Sequence, residues 1–86
     1  MSRLSRFAPN QRPLTDPNTL GGRLHIARSH RKVAIHELAF ATGVGTATIF
    51  GLECGLLKTT PHCIRRLAAA LKIDAEWLEH GKAVAA

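Results

Sequence analysis

Residues 35–55 read IHELAFATGVGTATIFGLECG. Leu38 and Ala39 stand before a centre of Gly43-Val44-Gly45, Ile49 and Leu52 stand after it, and Gly55 closes the stretch. Apolar residues three and four apart mark one face of a helix, and glycine suits the left-handed backbone that ends one. The stretch is therefore read as two short helices pinched around a tight turn. The first runs over about 34–42 and the second over about 46–54. Leu38 is the core residue of the first, Ala39 is small enough for another helix to approach closely, and Val44 plugs the core beneath the turn. In the second, Ile49 and Leu52 point inward. Thr46, Ala47, Phe50, Gly51 and Cys54 then point mostly outward, and Thr48 partly so.

Working outward, a helix begins near Asn18 or Thr19, either of which can cap it. Leu20, Leu24 and Ala27 recur at helical spacing. Gly21-Gly22 in its first turn lowers helix propensity, so fraying is expected there. Arg28, His30, Arg31 and Lys32 suit the carboxyl end of the helix dipole. Downstream, Thr60-Pro61 pairs a capping residue with proline at the first helical position. The fourth helix covers about 61–72, with Ile64, Leu67, Ala68 and Leu71 inward and Arg65, Arg66 and Lys72 solvated. Asp74 caps a fifth helix, in which Trp77 and Leu78 pack on the core and Gly81 is the stop. Glu76 and Glu79 are expected to complement its amino end. No alternating strand pattern and no repeat occurs. The organisation is a flexible basic arm at 1–18, a helical domain at 19–81 and a disordered tail at 82–86.

The totals set limits. With 86 residues one domain is the maximum, and a chain this short is marginally stable alone and often dimeric. Hydrophobic content of 45% with four prolines argues against global disorder. The formal charge of +6 favours a polyanionic partner. The arm adds Arg3, Arg6 and Arg12 among three prolines and one acid, Asp16. Such an arm is suited to following phosphates or entering a minor groove. Cys54 and Cys63 are the only cysteines, no signal-type apolar run follows Ser2 to Arg6, and no stretch approaches a membrane span. A reducing cytoplasm is expected, without a membrane partner.

Several chemistries are set aside. Gly43-x-Gly45 lacks the preceding strand and third glycine of a nucleotide loop. Cys54, His62 and Cys63 fit no closed zinc spacing, so no metal and no cofactor is expected. Whether the cysteines pair depends on a Cα separation that sequence does not give. His25, His30 and His36 are read as surface residues. No nucleophile stands with a base and an orienting group, so no enzyme activity is expected.

The ordered landmarks resemble one family. Leu20, Leu24 and Arg28, then Leu38-Ala39, Gly43-Val44, Ile49, Leu52-Glu53 and Gly55 are its pattern through the first three helices. Pro61, Leu67-Ala68, Ala70-Leu71 and Trp77-Leu78-x-x-Gly81 complete it. Residues 20–81 resemble the Cro and phage-repressor (XRE) type of helix-turn-helix domain, with a slightly lengthened loop between the third and fourth helices. The resemblance implies an all-α, five-helix fold and an Arg28–Glu53 pair between the first and third helices. It also implies a sequence-specific transcriptional regulator, dimeric on an inverted repeat of double-stranded DNA. In that motif the second helix of the pair lies in the major groove and the first crosses the backbone. The DNA-contacting residues implied are Arg28, Ile35, Gly45, Thr46, Ala47, Thr48, Phe50, Gly51, Lys58, Thr59 and Thr60.

The chain also departs from that pattern. Ala34 and Ile35 stand where relatives carry a capping hydroxyl and a phosphate-binding glutamine, and Cys54 stands where a polar residue usually meets phosphate. The outward face of the third helix has no amide or base, so bidentate reading of guanine or adenine is not available to it. Two readings follow. Ala, Thr and Phe can contact thymine methyls, with affinity supplied by phosphate contacts. Alternatively Ile35, Phe40 and Phe50 form an apolar patch for a protein partner, as in an antirepressor, an antitoxin-like protein or an accessory subunit.

Overall fold

A computed structural model describes residues 16–81. Arg3, Arg6, Phe7 and Arg12 of the basic arm, and the tail at 82–86, lie outside the described residues. Among those described, the chain forms α1 (Leu20–His30), α2 (Ile35–Thr42), α3 (Thr46–Glu53), α4 (Pro61–Leu71) and α5 (Ala75–His80), with no strand.

The helix starts follow local chemistry. The first amides of a helix lack internal partners. Thr19 Oγ1 accepts one from Gly22 at 2.9 Å, Thr60 Oγ1 from Cys63 at 3.2 Å, and Asp74 Oδ2 from Trp77 at 3.1 Å. α2 and α3 are the exceptions, because Gly45 has no side chain and the methyl group of Ala34 accepts nothing. Glu37 Oε1 instead takes the Ala34 amide at 2.7 Å, which is the return half of a capping box. At the other end of α2, Gly43 adopts φ 77°, and Gly55 adopts φ 76° just past α3. Both occupy the left-handed region that glycine enters without steric cost.

α1 packs on α3 and α5, α2 on α3 and α4, and α4 on α5. Leu24, Leu38, Ile49, Leu52, Leu67, Leu71 and Leu78 are fully buried between them. Ile35, Val44, Cys63 and Trp77 pack against this core from its edge.

Gly21 and Gly22 are both buried. A Cβ on Gly21 would overlap the Leu52 carbonyl and lie 2.6 Å from that of Glu53, and one on Gly22 would overlap the Asp16 backbone. The pair therefore gives α1 close access to α3 and to the incoming chain, a role that propensity does not register. Asp16 to Asn18, assigned to the arm, are held to the domain instead. Asp16 accepts the Asn18 amide through Oδ1 at 2.9 Å and the Thr19 amide through its carbonyl at 3.2 Å.

Arg23 fixes the same corner. It is 5% exposed and donates to the carbonyls of Leu78 (3.0 Å), Glu79 (3.0 Å) and Pro17 (2.8 Å). Burial lowers its pKa. It thereby ties the last turn of α5 to the entry of α1. Glu79 does not serve the amino end of α5; it stands in the last turn, 3.6 Å from His80. Glu76 occupies the first turn. Among the described residues no single helix is long and apolar enough to cross a membrane.

Candidate nucleic-acid interface

Three residues, 43–45, separate α2 from α3, and the chain bends by 119° between the two helices. Ile49, Leu52 and Glu53 turn α3 inward, whereas Thr46, Ala47, Thr48 and Phe50 are exposed. Gly51 does not belong to that outer face. It is buried, and a Cβ there would lie 2.6 Å from Leu57 Cδ1. The loop after α3 folds back over it, with the Leu56 amide donating to the Gly51 carbonyl at 2.8 Å. Cys54 is half-buried at the carboxyl end. The outer face thus narrows to two threonines, an alanine and a phenylalanine. From Leu38 to Leu52 no side chain is charged and none is an amide.

A buried carboxylate anchors α3. Glu53 is 4% exposed, and burying a charge is costly without a partner. Arg28 supplies one in bidentate form, Nε to Oε2 at 2.7 Å and Nη2 to Oε1 at 3.0 Å. The same guanidinium donates through Nη1 to the Val33 carbonyl at 2.9 Å. The hydrogen bond to Glu53 raises the Arg28 pKa, outweighing the opposing effect of burial. His25 completes the cluster, Nδ1 lying 3.0 Å from Glu53 Oε1. It is therefore not a surface residue, whereas His30 and His36 are. Each of the three Arg28 nitrogens has a partner within the protein, so its place in this geometry is to hold α3 against α1.

The other expected contacts divide. Ile35 is half-buried and packs on the core edge; it does not join an exposed patch. Phe40 is 93% exposed on α2 and Phe50 52% exposed on α3. Gly45 caps α3 with no side-chain contribution. Lys58 and Thr60 are exposed and Thr59 half-buried, and the Thr60 hydroxyl is engaged as the cap of α4. Lys58 and Thr59 line a cleft of 380 Å³ with Leu20, Leu52, Leu57 and Ile64, which sets them beside the carboxyl end of α3.

One cation escaped the sequence reading. Arg66 Nη2 lies 3.5 Å from where a Cβ of Gly43 would stand. A residue read only as solvated on α4 thus reaches the turn that leads into α3. The signal available was its place directly before Leu67, on the flank of the apolar stripe of α4. Cys54 and Cys63 are free thiols. Among the described residues no three His, Cys, Asp or Glu side chains are grouped to hold a metal ion. Neither a protein-family model nor a curated protein matches the sequence.

Proposed function

We propose that this protein is a small DNA-binding transcriptional regulator in which α2 and α3 form a helix-turn-helix and α3 enters the major groove. The observation that carries the reading is the exposed outer face of α3, set at 119° to α2 across a three-residue turn in a chain of net charge +6. Helices of that motif meet at about 90–120° across a short turn that often holds glycine. The ordered landmarks that resemble the Cro and phage-repressor type support the same reading, as does the Arg28–Glu53 pair.

Phosphate contacts fall to Lys58, Arg66 and the hydroxyl of Thr59, and to the arm arginines Arg3, Arg6 and Arg12. Thr46, Ala47, Thr48 and Phe50 face the bases. The protein acts as a homodimer on an inverted repeat, with half-sites roughly 34 Å apart. The free thiols suit a reducing cytoplasm.

Selection of the full-length protein against random duplexes at two salt concentrations tests this. The expected result is a consensus sequence bound with an affinity that falls steeply with salt, because each neutralised phosphate releases counterion. Uniformly weak retention without a consensus would remove the regulator reading.

One observation favours a second reading. A phenylalanine 93% exposed on α2 lies outside the face assigned to DNA, and exposed apolar surface marks interaction sites. Phe40→Glu should then abolish capture of a protein partner with helicity unchanged; an unaltered set of captured proteins would count against it.

A further inference from the structure

The outer face of α3 specifies the kind of base feature it can read. Thr46 and Phe50 are one turn apart, Ala47 lies between them on the same face, and Thr48 flanks it; all four are exposed. The burial of Gly51 beneath Leu57 removes the remaining position from which this helix could reach a base. With no amide, guanidinium or carboxylate from Leu38 to Leu52, neither the bidentate pairs that identify guanine and adenine nor the carboxylate contact to cytosine N4 can form from this stretch. The face instead offers the methyl groups of Thr46, Ala47 and Thr48 and the ring of Phe50. Their complement in the major groove is the one apolar group a base presents there, the methyl on C5 of a pyrimidine.

On the DNA-binding reading above, we infer that α3 selects duplexes by 5-methylpyrimidine groups, largely without regard to the polar edge of the base pair that carries them. Thymine and 5-methylcytosine both place a methyl at that position. One contact therefore serves T·A pairs and methylated C·G pairs alike.

The experiment measures binding of the full-length protein to its selected duplex with one contacted T·A pair replaced in turn by U·A, C·G and 5-methylcytosine·G. Uracil removes the methyl and keeps the polar edge. 5-Methylcytosine keeps the methyl and changes the polar edge. The expected order is thymine close to 5-methylcytosine, and both above uracil and cytosine. Each methyl lost should weaken binding about fourfold, the factor that about 0.8 kcal/mol per buried methylene gives. Phe50→Ala should compress that difference while retaining the fold, since Phe50 is half-exposed.

Thymine and uracil bound equally, with both forms of cytosine weaker, would overturn the inference and leave a DNA-binding protein that reads the polar edge through the threonine hydroxyls. Selection yielding no duplex would overturn the DNA reading itself and turn the apolar face towards a protein partner.

Discussion

Glu53 is the residue on which the placement of α3 depends. Its carboxylate is buried between Arg28 and His25, while its backbone carbonyl lies against Gly21 of α1. Removing one partner of a buried pair leaves the other uncompensated, at about 3–5 kcal/mol. Glu53→Ala should therefore lower stability by that amount, read as the midpoint of urea unfolding with its slope unchanged. A loss below about 1 kcal/mol would place the pair among surface ion pairs. Gly21→Ala is a second test at this scale. It forces a methyl into the carbonyls of Leu52 and Glu53, and overpacking of this kind costs about 1–3 kcal/mol. If helix propensity governed the position, alanine would raise the melting temperature instead. The Arg28–Glu53 pair is legible through the family resemblance, whereas the roles of His25 and Arg23 are not. A histidine or arginine within a helix reads as solvated until the partner is known. Here the distant partners are Glu53, 28 residues from His25, and two of the three carbonyls that Arg23 meets, 55 and 56 residues away.

At the scale of the element, the helix boundaries were the most legible feature. Thr19, Thr60-Pro61, Asp74, Gly43 and Gly55 end or begin their helices as local capping chemistry requires. Gly51, expected outward but buried, and the close packing at Gly21-Gly22 are illegible in the sequence for one reason. A residue without a side chain carries no pattern of its own, and its role is set by what packs over it. The missing cap of α2 offers a clean test. Glu37 already closes the return half of the box, and Ala34 has the extended backbone of a cap residue, φ −76° and ψ 158°. Ala34→Ser should complete the motif and stabilise by about 1 kcal/mol. That corresponds to a melting temperature higher by roughly 4–8 °C in a domain of this size. No change on calorimetry would mean that α2 begins elsewhere.

For the whole molecule, the charge is separated from the apolar face that the proposed function turns to DNA. The stretch from Leu38 to Leu52 carries no cation; Arg66 reaches its turn from α4, and Lys58 stands on the loop after α3. Affinity and selectivity should separate accordingly. Arg66→Ala or Lys58→Ala should weaken binding to every duplex alike and reduce the salt slope by about one unit each. Phe50→Ala should change which duplex is selected. Similar effects from both classes of substitution, measured over a salt series, would contradict this division. The +6 charge was legible at once. Its distribution was not, because Arg66 reaches the turn only through the packing of α4 on α2.

If α3 is the surface that meets DNA, amide chemical-shift mapping of the full-length protein with its selected duplex shows it most directly. The predicted result is that the largest perturbations fall at Thr46 to Phe50, with smaller ones at Lys58 and Thr59. Perturbations centred on Phe40 or α5, with the amides of α3 unmoved, would contradict it.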